Sequence, residues 1–131
     1  MDVKKKAILY LKCTKRNSFC TLVDFSDLKI KFSCSVGIMK NKKNNYLNVK
    51  LLAEKFVQKI IILGYNEVSI ILLGLGLGRI VILNSIRESN LNLDLIHDYT
   101  SGIHNGCRPS KIKRKKHKSK ISFKIKKLLN P

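Results

Sequence analysis

Residues 67–73 read Glu67-Val68-Ser69-Ile70-Ile71-Leu72-Leu73, residues 74–78 read Gly74-Leu75-Gly76-Leu77-Gly78, and Arg79 follows. No other stretch limits the fold as strongly. The apolar run has the length of a β-strand, and its continuous rather than alternating character predicts a strand covered on both faces. The glycines end it. Residues 78–89 then resume at helical spacing, with Ile82, Leu83 and Ile86 on the inward side.

The flanking sequence extends this strand–loop–helix unit. Residues 7–13 and 18–25 are β-type runs separated by Thr14-Lys15-Arg16-Asn17, a polar tetrad suited to a hairpin loop. Residues 29–35 alternate, placing Ile30, Phe32 and Cys34 on one face of a half-buried strand. A polar, basic loop at 41–45 precedes a helix over 46–63, where Val49, Leu52, Ala53, Phe56, Val57 and Ile60 recur at helical spacing and Gly64 supplies the stop. Residues 91–99 alternate Leu91, Leu93 and Leu95 as a last strand. The order β-β-β-α-β-α-β predicts an α/β fold, a mixed sheet flanked by two helices. Residues 1–110 are expected to form a single globular domain. Residues 111–131 are expected to be a basic tail that orders on its partner.

Charge points to the partner. Lys and Arg number 27 against 8 Asp and Glu, a net charge of +19 over 131 residues. A compact chain so charged repels itself, and a polyanion relieves that repulsion. A solvated basic face, or a basic surface for anionic lipid, would also accommodate the charge. The cations cluster. Residues 108–131 carry Arg108, Lys111, Lys113, Arg114, Lys115, Lys116 and five more lysines with no carboxylate side chain, and further groups include Lys15, Arg16, Lys42 and Lys43. Residues 60–83 are nearly uncharged.

Several chemistries lack their residues. Cys13, Cys20, Cys34 and Cys107 include no CxxC pair, and His97, His104 and His117 are not at ligand spacing to them, which argues against zinc and suits a reducing compartment. No secretory signal is visible, since Met1-Asp2-Val3-Lys4-Lys5-Lys6 leads only into a short apolar run. Tyr65-Asn66-Glu67 interrupts the apolar stretch at 60–78, so neither half reaches the roughly 20 residues of a membrane span. The glycines follow GxGxG rather than GxGxxG and are not part of a GxxxxGK[ST] motif, so no nucleotide cofactor is expected. The loop instead suggests backbone that approaches RNA phosphates at a helix N-terminus, with Arg79 adding charge. Asp94 and Asp98 lie too far apart along a strand to share a proton, and the His104–Cys107 pair lacks a general base and an oxyanion site. The expectation is a non-enzyme without cofactor, metal, small-molecule substrate or membrane. Tyr10, Phe19, Phe25, Phe32 and Phe56 are assigned to the core, and Tyr46 and Tyr99 are the better base-stacking candidates.

The C-terminal junction is the most specific motif. His104-Asn105-Gly106-Cys107-Arg108-Pro109 forms a turn in which Gly106 permits φ > 0 and Pro109 fixes the exit, and the cations from Lys111 to Lys116 follow. With Asp98-Tyr99-Thr100 before it, and Gly74, Gly76, Gly78 and Arg79 after a strand, the chain resembles the universal small-subunit ribosomal protein 11 family in its bacterial and organellar form. The similarity spans roughly residues 7–116. Leu75 and Leu77 stand where the family usually has prolines, and Ile80 where it has an acid. The resemblance implies a platform protein of the small ribosomal subunit that binds small-subunit rRNA near the messenger exit side, with mRNA nearby. Neighbouring ribosomal proteins would touch it, the family's seventh small-subunit protein among them. The RNA-binding residues it implies, together with the charge clusters, are Gly74, Gly76, Gly78, Arg79, His104, Asn105, Gly106, Arg108, Pro109, Lys111, Lys113, Arg114, Lys115, Lys116, Lys15, Arg16, Lys42 and Lys43. A free-standing basic nucleic-acid chaperone is the alternative. A composition crowded with Lys, Asn, Ile and Leu, and the lack of a presequence, point to an organelle-encoded mitochondrial protein, with a plastid or bacterial cytoplasm as the other settings.

Overall fold

The computed structural model describes residues 4–39 and 43–113. Its elements are β1 (Lys6–Cys13), β2 (Ser18–Asp24), β3 (Ile30–Ser35), a short 3-10 turn (Val36–Ile38), α1 (Tyr46–Ile62), β4 (Glu67–Leu73), α2 (Gly78–Glu88) and β5 (Asn92–Asp98). The five strands form one sheet in the order β3-β2-β1-β4-β5. β1, β2 and β3 pair antiparallel in sequence, whereas β1–β4 and β4–β5 are parallel. This is the mixed sheet and element order that the hydrophobic periodicity predicts.

Local chemistry sets the boundaries. The Thr14 N–H donates to the Asn17 carbonyl at 2.8 Å, and the Thr14 hydroxyl accepts from the Asn17 N–H at 3.1 Å, which closes the first hairpin. The Asn45 side chain accepts from the Asn48 N–H and caps α1. Gly64, at φ +81°, takes the left-handed conformation that ends it. Beyond that stop, the buried Tyr65 hydroxyl donates to Asp24 Oδ2 at 2.9 Å, tying the exit of α1 to the end of β2. Burial and this contact push the Tyr65 phenol up to about 12. The Ser26 N–H and the Tyr65 hydroxyl together hold the Asp24 carboxyl below its usual range.

Both helices cover the same face of the sheet. Val49, Leu52, Phe56 and Ile60 of α1, with Val81, Ile82 and Ile86 of α2, bury Leu9, Leu11, Cys20, Leu22, Val68, Ile70 and Leu72 in one core. Each fully buried aliphatic or Phe side chain contributes about 1.5–3 kcal/mol.

The other face is open, and several expectations are overturned. β4 alternates rather than being covered twice: Val68, Ile70 and Leu72 are buried, whereas Ser69, Ile71 and Leu73 are only half-buried. Tyr10, Phe19 and Phe25 are exposed rather than core; Tyr10 and Phe19 project from the face that carries no helix, and Phe25 lies in the turn after β2. Phe56 is fully buried and Phe32 stacks against it at 6.1 Å, while Ile30 at the edge is exposed. In β5, the register shifts between the partners of Val68 and Ser69, so that Leu93 opposes Val68 and Leu95 opposes Ser69. Asp94 is the extra residue. This bulge turns Leu95 onto the open face instead of leaving it in phase with Leu93.

Candidate nucleic-acid interface

Because β1, β4 and β5 run parallel, their C-terminal ends share one rim of the sheet, where open α/β sheets bind ligands. The glycine loop, the β1–β2 hairpin and the departure of residues 99–113 all lie there.

The glycines fit the loop against the chain's own hairpin. A Cβ at Gly74, whose φ is +86°, would lie 2.2 Å from the Cys13 carbonyl oxygen. One at Gly76 would lie 2.3 Å from the Thr14 carbonyl oxygen, and one at Gly78 would lie 2.3 Å from Ser18 Oγ. The Gly76 N–H donates to the Cys13 carbonyl at 3.0 Å, which seals the approach. The sequence suggested that bare backbone here admits RNA phosphates. The close approach made by Gly74, Gly76 and Gly78 is to Cys13, Thr14 and Ser18 instead.

Arg79 is also turned inward. Its guanidinium donates to Asp98 Oδ2 and, at 3.4 Å, to the Gly74 carbonyl. Asp98 Oδ1 accepts from the Thr100 N–H at 3.0 Å and from its hydroxyl at 2.6 Å, and Thr100 Oγ1 accepts the Gly74 N–H at 3.2 Å. The Thr100 hydroxyl and then Arg79 hold the Asp98 carboxyl down at about 2. Arg79 is expected to offer its charge to phosphate; its guanidinium also clamps the glycine loop to the end of β5.

The other rim cations are held differently. Asn44, which the sequence reading did not single out, accepts from the Ser18 hydroxyl at 3.0 Å and donates to the Thr14 and Lys15 carbonyls at 3.3 and 3.4 Å. Asn48 Nδ2 donates to the Lys43 carbonyl at 2.8 Å. These bonds bring Lys43 to the hairpin tip that carries Lys15 and Arg16. Only the run of asparagines before α1 hinted at such a network. Lys42, Arg114, Lys115 and Lys116 lie outside the described residues.

Charge is sorted between the two ends of the sheet. At the far end, Lys4 and Lys6 pair with Glu67 at 3.4 and 3.1 Å, Lys6 also reaches Asp94, and Lys5 lies over the Tyr65 ring. At the rim, Lys12, Lys15, Arg16 and Lys43 have no ion pair among the described residues. The rim is therefore one uncompensated cationic surface of the folded body; Lys29, Lys50, Lys55 and Arg87 elsewhere on it also form no ion pair among the described residues.

From Ser101 to Lys113 every residue is exposed, including His104, Asn105, Gly106, Arg108, Pro109, Lys111 and Lys113. No hydrogen bond or ion pair joins these residues to the body among the described residues. The left-handed turn begins one residue earlier than the sequence suggests: Asn105 has φ +62° and Gly106 has φ +24°. Asn tolerates this region better than most side chains. The described residues hold no cluster of three or more His, Cys, Asp or Glu suited to a metal, and no helix long and apolar enough to cross a membrane.

Residues 7–114 match the family described as ribosomal protein S11. The chain belongs to the ribosomal protein S11 family. Among its relatives is small ribosomal subunit protein uS11 of Kosmotoga olearia, 32% identical over 83% of this chain and 85% of the relative. Protein uS11c of Spirogyra maxima is 33% identical over 83% of this chain and 85% of its own length. Protein uS11m of Prototheca wickerhamii is 30% identical over 85% of this chain and 88% of its own length. The S11 match covers both the glycine loop at the rim and the turn at 104–109 in the segment that leaves it.

Proposed function

We propose that this S11-family chain is a structural, non-enzymatic constituent of the small ribosomal subunit. It binds small-subunit rRNA in the platform near the messenger exit side and supports assembly and translation. The observation that carries this reading is the family match over residues 7–114. The rim supports it physically, because Lys12, Lys15, Arg16 and Lys43 have no ion pair among the described residues and the chain continues from it into a segment without acidic side chains.

The rim cations Lys15, Arg16 and Lys43, with Lys42, meet phosphates beside the hairpin. His104 to Pro109 docks by shape, and Lys111, Lys113, Arg114, Lys115 and Lys116 neutralise backbone charge and release counterions. Gly74, Gly76, Gly78 and Arg79 contribute by shaping the rim. The globular body ends near residue 110, and residues 111–131 form the cationic tail. Neighbouring small-subunit proteins, the seventh among them, complete the site, with mRNA close by. The compartment is the mitochondrion, on the strength of the Lys-, Asn- and Ile-rich composition. Relatives of bacterial, chloroplast and mitochondrial type leave the plastid and the bacterial cytoplasm as alternatives to be separated by cell fractionation.

Salt dependence tests the RNA-binding step. If about five cations meet phosphate, affinity for platform rRNA falls with a log–log salt slope of roughly −4. A slope near zero contradicts it.

A further inference from the structure

Tyr99 lines a cavity at the rim to which no role has yet been given. The Tyr99 N–H donates to the Leu72 carbonyl at 2.9 Å, which anchors its backbone at the end of β4. Its side chain remains 60% exposed. The ring stacks on His97, with centroids 5.6 Å apart and planes 28° from parallel. His97 opposes Ile71 in the β4–β5 register, so this pair belongs to the face of the sheet that carries no helix. The cavity, of about 380 Å³, is lined by Lys12, Thr14, Leu73, Gly74, Tyr99 and Ser101 among others. That volume falls in the range of small-molecule sites. Lys12 is exposed and has no ion pair among the described residues.

These features combine an aromatic surface held in place by a second ring, a recess of ligand size and an unneutralised ammonium. Single-stranded nucleic-acid sites are built from stacking platforms and cations in this way. A carboxylate side chain could pair with Lys12 but would leave the Tyr99 ring without a stacking partner, and a paired base could not leave its stack to enter.

We propose that this cavity takes one unstacked nucleotide of single-stranded RNA, its base on the Tyr99 ring and its phosphate at the Lys12 ammonium. The inference rests on the RNA-binding reading above and adds to it a preference that charge alone cannot produce. Phosphate neutralisation serves paired and unpaired RNA alike, whereas stacking on Tyr99 requires a free base.

The test compares the full chain's affinity for a short single-stranded RNA and for an RNA duplex of equal length, by fluorescence anisotropy over a series of matched salt concentrations. Tyr99→Ala is expected to weaken single-strand binding about tenfold and to leave duplex binding within about twofold. Tyr99→Phe, which keeps the ring, is expected to bind both as the parent does, and this variant separates stacking from any loss of folding. Lys12→Ala is expected to reduce the single-strand salt slope by about 0.7. Equal losses on both RNAs with Tyr99→Ala, or no loss on either, overturn the proposal while leaving RNA binding intact. A parent chain that binds neither RNA overturns the RNA-binding reading itself.

Discussion

The Arg79 guanidinium donates to the Asp98 carboxylate, joining the residue that follows the glycine loop to the residue that ends β5. Two motifs separated along the sequence thus become one structural unit. Thr100 completes it by donating to Asp98 and accepting from the Gly74 N–H. The network fixes where the chain leaves the sheet, and so where the residues from His104 onward begin. It also takes the Asp98 carboxylate out of competition with RNA phosphates, while Lys12, Lys15, Arg16 and Lys43 have no ion pair among the described residues.

Acid should weaken this clamp in a defined window. The Asp98 carboxyl titrates at about 2 in the fold against an ordinary 3.8. A folded value below the unfolded one means that the contribution to stability is complete above the ordinary value and is lost as pH falls through about 2. Asp98→Asn should lower stability at neutral pH and, since it cannot titrate, flatten part of the acid decline. Urea midpoints measured from neutral to strongly acidic pH should therefore converge for parent and variant. Parallel curves would show that Asp98 is not held by Thr100 and Arg79 as described.

Glycine replacements should separate close packing from flexibility. Gly74→Ala and Gly76→Ala place a methyl against hairpin backbone that cannot rotate away. Each is expected to cost at least about 2 kcal/mol. Gly102→Ala meets nothing within 4 Å and is expected to stay within about 0.5 kcal/mol of the parent. Denaturant unfolding of the three variants checks the order, and equal costs at all three positions would contradict it.

The tail should act unevenly. Arg108→Ala with Lys111→Ala is expected to reduce incorporation into small subunits more than deletion of residues 121–131. Arg108 lies in the turn and Lys111 just after it, both inside the S11 match, whereas the deleted stretch lies beyond it. Quantitative mass spectrometry of purified subunits gives the comparison. The opposite ranking would shift the main contribution to the extension.

Most of the fold was legible in the sequence because hydrophobic period and glycine punctuation agree with each other along the body. The helix from Tyr46 and the strand at Glu67–Leu73 stand within a residue of their predicted limits. What the sequence hid was which side of the sheet would be covered. An apolar run such as Ser69-Ile70-Ile71-Leu72 reads alike whether one face or two are packed, and only the placement of both helices on one face leaves Tyr10 and Phe19 exposed. The bulge at Asp94 was equally silent, because a single extra residue changes the face of Leu95 without changing its neighbours. At the rim, the cations could be picked out by charge. The inward turn of Arg79 could not, since its partners Asp98 and Gly74 meet it only through the β4–α2–β5 crossover.

The central claim is that this chain belongs in a small ribosomal subunit, held there by RNA. Sucrose-gradient sedimentation of a native extract, with and without ribonuclease, tests it most directly. The account predicts that the protein travels with the small subunit and that digestion of the rRNA releases it. Sedimentation apart from ribosomes, as a free-standing nucleic-acid chaperone would show, or association with vesicles that survives the nuclease, would contradict it.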